Sequence, residues 1–188
     1  HIAEVGFDLY QKLVAEAVAA LKETYAVGPK APPPLPPSPT IDLPLDAHIP
    51  AGYIPDVHQR LAVYQRVAHI SSVEAVAAAQ EDLADRFGPV PPAVENLLYV
   101  ALVRSLARRC SVESIKTDDQ MFHVRVRGGT DEGTRRAVLA LGLDGVIVGP
   151  NQVRLDRISS AGRWQQVLVR ILRAMATGAA RPTVGSAA

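Results

Sequence analysis

The chain has 188 residues, of which 48% are hydrophobic and 21% charged, with a formal net charge of +1 and 15 prolines. That is enough apolar material for one domain-sized core without a metal or disulfide staple. A lone cysteine, Cys110, rules out an internal disulfide and a cysteine-based zinc cluster and suits a reducing cytosol, and no apolar run nears the ~20 residues that span a bilayer. The small net charge hides an uneven distribution. Residues 1–94 hold 6 basic and 11 acidic side chains, whereas residues 95–188 hold 14 and 8. Ordinary solvated surface explains this as well as two faces of opposite sign, one of which meets a charged partner.

The chain opens on His1 inside a helical pattern, with no initiator Met or signal peptide, as a piece of a longer protein would. Apolar residues recur at helical spacing from Phe7 to Tyr25, with Asp8 as a cap and Gly28-Pro29 as the stop. The run Pro29-Lys30-Ala31-Pro32-Pro33-Pro34-Leu35-Pro36-Pro37-Ser38-Pro39 predicts a polyproline II spacer. The next stretch, Asp42 to Asp56, reads DLPLDAHIPAGYIPD. Its prolines exclude helix and central strand, yet Leu43, Leu45, Ile49, Tyr53 and Ile54 are too apolar to be left in water.

Asp56 leads into a helix with Leu61, Tyr64, Val67 and Ala68 on one face. Ser71 with Glu74 predicts a capping box for a second helix that ends at Phe87-Gly88. Val76, Gln80, Leu83 and Phe87 line one side of it. Glu74, Glu81 and Asp85 fall on the other, with Asp82 adjacent. Pro92 suits the first turn of a third helix, striped by Val94, Leu97, Leu98, Ala101, Leu102, Leu106 and Ala107.

Past Cys110 the period shortens toward two, and Val112–Lys116 and Met121–Arg127 read as strands. Thr130 is placed to cap a short helix through Leu141. Residues 145–148 and 153–158 form a second hairpin about a Gly-Pro-Asn turn, and a final amphipathic helix starts near Trp164. The pattern divides the chain into a helical segment 1–27, a linker 28–40, a domain 41–176 and a disordered tail 177–188. The fold class is α+β, helices packed with a small β-sheet and preceded by an isolated helix and the Pro-rich linker.

Catalytic chemistry is hard to find. His1, His48, His58, His69 and His123 form no metal-ligand spacing, and each reads as surface or packing. No Gly-rich loop ends in Gly-Lys-Ser or Gly-Lys-Thr, and Gly128-Gly129-Thr130 reads as a simple loop. Cys110 follows two arginines that could lower its pKa, but with no histidine partner it reads as helix-end packing. Arg104, Arg108 and Arg109 on a helix and Arg125 and Arg127 on a strand could track phosphates. This makes a nucleic-acid-binding module the alternative reading, weakened by the lack of interleaved aromatics.

Leu43-Pro44-Leu45-Asp46-Ala47-His48-Ile49-Pro50, Tyr53-Ile54-Pro55-Asp56, Arg60-Leu61, Tyr64-Gln65-Arg66, Asp85-Arg86-Phe87-Gly88-Pro89-Val90-Pro91 and Val94-Glu95-Asn96-Leu97-Leu98 together resemble the C-terminal domain of the bacterial transcription-repair coupling factors (Mfd). The likeness is close over roughly 41–116 and looser beyond. His1-Ile2-Ala3-Glu4-Val5-Gly6-Phe7-Asp8-Leu9-Tyr10 resembles the tail of that family's translocation motif. The resemblance implies a cytoplasmic, ATP-driven double-stranded DNA translocase that displaces stalled RNA polymerase and recruits UvrA. ATP and Mg would belong to motor domains upstream of His1, and this piece would hold no cofactor and no catalytic residue.

In that family the C-terminal domain acts as a latch over the module that binds UvrA. By resemblance, Asp82 and Asp85 match the acids of the latch helix, and geometry alone adds Glu81 and Glu74. The proline-rich ribbon then reads as a strap laying Leu43, Leu45, Ile49 and Tyr53 on the helices. The chain departs from the family pattern in the length and proline density of its linker, which sets the reach of the latch.

Overall fold

Five helices and five strands build the described part of the chain, residues 38–157, 159 and 162–179 of a computed structural model. The predicted helix over 7–25, the proline run up to Pro37 and the tail past Ala179 lie outside the described residues. A short strand β1 (Thr40–Ile41) precedes the ribbon, and helices α1 (Val57–Val67), α2 (Val73–Phe87) and α3 (Pro92–Arg109) follow it. Strands β2 (Val112–Thr117) and β3 (Met121–Val126), helix α4 (Glu132–Leu139), strands β4 (Val146–Val148) and β5 (Gln152–Asp156) and helix α5 (Trp164–Ala179) complete the chain. The α+β class is as predicted.

The strands make one sheet in the order β1-β2-β3-β5-β4, antiparallel except where β1 runs parallel to β2. The two-residue β1 was not foreseen, because it straddles the predicted boundary between linker and domain at residues 40 and 41. Alternation sends Phe122, Val124, Val126, Val153 and Leu155 inward, all buried. In β2 the buried residues Val112 and Ile115 are three apart, out of phase with a regular pleat. A bulge where Val112 faces Val126 and Ser114 faces Arg125 returns both to the core side.

The inner face is covered by α3 and α5. Trp164 stacks on Phe122 with ring centroids 4.6 Å apart, and Tyr99 of α3 meets Trp164 edge-on at 6.0 Å. Leu168, Ile171, Leu172 and Met175 of α5 are fully buried. The sheet's outer face carries Lys116, His123, Arg125, Ile147 and Arg154, and no helix of the described residues lies over it, an arrangement that antiparallel sheets tolerate.

The ribbon from Asp42 to Asp56 is largely extended, with a bend at Pro44 and a turn at 51–53. Leu43, Ala47, Ile49 and Ile54 are buried, with Leu45 and Tyr53 half-buried against the same core. Tyr53 turns its phenol onto the carbonyls of Leu83 and Gly88, both 3.1 Å away, and its ring meets Phe87 edge-on at 5.9 Å. Gly88, at φ +84°, is the left-handed residue that ends α2 and turns its carbonyl toward that phenol.

Several local expectations shift. Asp56 caps α1 through Gln59 N as expected, but Val63 and Val67 are the buried pair, while Leu61 and Ala68 are exposed. Val63 and Val67 face Ala79 and Leu83 of α2, and the ribbon holds the helix through Tyr64, whose phenol oxygen accepts from Ile49 N at 2.9 Å. Ser72, not Ser71, caps α2, accepting from Ala75 N. Asp131, not Thr130, caps α4, because the Thr130 hydroxyl donates instead to the Pro150 and Gly149 carbonyls of the β4–β5 turn, and α4 stops at Leu139. On α3, Val103 joins the buried stripe and Ala101 stays half-buried.

The tail predicted from Thr177 is also corrected, since α5 continues through Ala179. A backbone contact between α4 and α5 accounts for it. A Cβ placed on Gly178 would lie 2.7 Å from the Gly133 carbonyl oxygen, and one on Gly133 would lie 2.6 Å from that of Gly178. Only glycine permits this approach.

Two substitutions check these contacts by thermal or denaturant unfolding. Tyr53→Ala is expected to destabilise by about 2 kcal/mol, and Tyr53→Phe by about 1 kcal/mol, since it keeps the ring. Unchanged stability for both would remove the ribbon's anchoring role. Gly178→Ala should destabilise by about 1–3 kcal/mol through forced separation of α4 and α5. Were the helices merely adjacent, the better helix former would stabilise by about 1 kcal/mol instead, so the sign decides.

Candidate interface on the second helix

The four acids singled out in the sequence lie on α2, and the structure separates them into two kinds. Glu74, Glu81 and Asp85 are exposed and share one face at spacings of seven and four residues. Neither Glu81 nor Asp85 takes part in an ion pair among the described residues. Glu74 lies in the first turn, where its own backbone N–H and the Ser72 hydroxyl hold its carboxyl below the ordinary range, with Arg173 of α5 contributing.

Asp82 points elsewhere, toward α1. Its Oδ2 accepts from Arg66 Nη1 at 2.7 Å and lies 3.5 Å from Arg86 Nη1, one turn along α2. The Arg66 hydrogen bond is the main reason its carboxyl is held below the usual value, and its charge and that of Arg86 add to it. Asp82 therefore ties α1 to α2 inside this domain. Beside the pair, Val63, Val67, Ile70, Ala79 and Leu83 help to line a groove between the helices with a cavity volume of about 150 Å³.

The Asp-Arg-Phe-Gly end of α2 divides its labour. Asp85 faces solvent. Arg86 returns to Asp82 and lies over the Phe87 ring, 4.9 Å from its centroid. Phe87 packs on Tyr53, and Gly88 ends the helix. Sequence reasoning missed Arg66 as a partner of Asp82, because the two are sixteen residues apart on different helices.

The remaining candidates carry no reactive constellation. His48 pairs with Asp46 at 2.8 Å and His123 with Asp118 at 2.7 Å, while His58 and His69 are exposed. Among the described residues no three His, Cys, Asp or Glu are grouped to hold a metal ion. Cys110 is buried and turned onto the Leu106 carbonyl, and burial pushes its thiol up to about 11, outweighing the charge of Arg109. Of the arginines, Arg108 bonds Ser38 at 2.7 Å, while Arg109, Arg125 and Arg127 are exposed.

The Arg66–Asp82 pair can be read through pH and salt. A carboxyl with a depressed folded pKa stabilises at neutral pH and loses that contribution as pH falls through the depressed value. Asp82→Asn should therefore lower Tm slightly at pH 7, and the difference from the unaltered chain should vanish in acid and shrink in high salt. A difference persisting at the acid end would mean that packing, not charge, holds α1 to α2.

Comparison with known proteins places this geometry. The sequence profile of the TRCF domain matches residues 43–136. Among curated relatives, the transcription-repair-coupling factor of Myxococcus xanthus is 36% identical over 149 residues, covering 79% of this chain. That of Mycobacterium bovis is 38% identical over 126 residues, 61% of this chain, and that of Bacillus subtilis 37% over 125 residues, 66% of it. The chain spans only 10–11% of the length of these relatives. A crystal structure of the C-terminal domain of transcription-repair coupling factor superposes with a TM-score of 0.61 at 20% identity, covering 77% of this chain and 96% of that one. With half of its length inside the family profile and the fold of that C-terminal domain, the chain belongs to the TRCF domain family.

Proposed function

We propose that this chain is the regulatory C-terminal part of a cytoplasmic transcription-repair coupling factor. It is a non-catalytic domain of an ATP-dependent DNA translocase acting in transcription-coupled nucleotide excision repair. In this reading ATP and Mg are held by motor domains elsewhere in the parent protein. RNA polymerase, double-stranded DNA and UvrA are partners of the parent, and this domain masks the UvrA-binding module until the motor engages.

The observation that carries the reading is the exposed acidic face of α2, within a chain of this family. Glu81 and Asp85 project from a helix whose other side is packed, and no described cation neutralises them. A rim of charge suits a latch: it closes by modest, screened contacts and opens when a ligand prefers the open state. Asp82 acts behind that face, holding α2 on α1.

The test is binding of the whole chain to the isolated UvrA-binding module of a transcription-repair coupling factor, at low and moderate salt. Glu81→Lys with Asp85→Lys should weaken binding by roughly tenfold, and added salt should weaken the unaltered pair. Asp82 is left intact so that the α1–α2 contact survives. Undiminished binding by the double variant would move the latch off α2. No binding by the folded chain, even with the two parts joined on one polypeptide, would overturn the masking role.

A further inference from the structure

The outer face of the sheet is built as a surface, and no helix of the described residues lies over it. The register sets Ile147, Arg154, His123 and Lys116 side by side across β4, β5, β3 and β2. Arg125 lies two residues further along β3 on the same face. With strands about 4.8 Å apart and a rise of about 3.4 Å per residue, neighbouring basic groups are about 5–10 Å from one another. Lys116, Arg125 and Arg154 form no ion pair among the described residues, whereas His123 is held at 2.7 Å by Asp118. Ile147, at the edge of the row, is 47% exposed.

The chemistry of the face selects among polyanions. Readers of single-stranded nucleic acid need aromatic platforms, and here the aromatic residue of β3, Phe122, faces the core. Three cations would release few counterions from a duplex backbone, so that term would stay small. A phosphate backbone also offers nothing to Ile147. A helix about 10 Å wide fits a face of five strands, which is about 19 Å across.

We propose that this uncovered sheet face docks an acidic amphipathic segment of a protein partner, whose carboxylates meet Lys116, Arg125 and Arg154 and whose aliphatic side chains cover Ile147. The proposal stands apart from the latch, because the acids of α2 belong to another layer of the molecule.

The test follows the amide resonances of the whole isotope-labelled chain during titration with a synthetic Glu/Leu amphipathic peptide of about 18 residues. Single-stranded and duplex DNA of matching length serve as rival probes. The peptide should shift resonances clustered at 114–116, 123–125, 147 and 152–154. Arg125→Glu with Arg154→Glu should weaken it at least about tenfold, while Arg109→Glu with Arg170→Glu, an equal change of charge, should alter it less than about twofold. Equal losses in both variants, shifts elsewhere, no binding, or preference for either DNA would each overturn the proposal.

Discussion

The run from Asp42 to Asp56 carries backbone polar groups that its prolines keep out of any helix or ladder, and the side chains that satisfy those groups tie the early elements together. Asn96 of α3 donates to the Asp46 carbonyl, Thr117 of β2 to that of Asp42, and Arg60 of α1 to those of Ile54 and Pro55. Tyr64 receives the Ile49 N–H, and Asp42 N reaches the Ile115 carbonyl. One irregular strap thus touches α1, α3 and the sheet by hydrogen bonds, and α2 through Tyr53. Its buried side chains do the rest, with Ile54 wholly inside. What cannot form regular structure here serves as the surface against which regular structure is arranged.

Much of this was legible in the chain itself. Gly88 and the prolines at 89–92 marked where α2 ends and α3 begins, and the shift from a period near four to a period near two located the sheet. Where reading failed, a tertiary contact had overruled a local rule. Leu61 is larger than Val63, but α2 packs against the Val63 side of α1. Thr130 is a good cap by type, but its hydroxyl is committed to the β4–β5 turn. Of the acidic site, the exposed face was readable from helical spacing alone. The role of Asp82 was not, since only the packed helices bring Arg66 to it. The bulge in β2 was written in the spacing of Val112 and Ile115, three residues where a flat strand demands two or four.

The charge asymmetry between the two halves becomes an asymmetry between layers. Glu81 and Asp85, acids without an ion pair among the described residues, lie on α2, which packs on α3, while Lys116, Arg125 and Arg154, cations without one, lie on the outer face of the sheet. Between them, among the described residues, the buried side chains are apolar apart from Thr134, whose backbone N–H is capped by Asp131, and Arg104 of α3 also carries its Nε out of solvent.

The paired glycines of α4 and α5 also bear on where the chain may be cut. To the eye, the small residues after Met175 look like the start of a dispensable end, and a shortened chain would naturally stop at residue 176. Such a cut would remove Gly178 and bare the first turn of α4, together with the buried Thr134 beside it. The minimal folding unit therefore extends to Ala179, and fusions, tags or proteolytic trimming at this end are best placed beyond it.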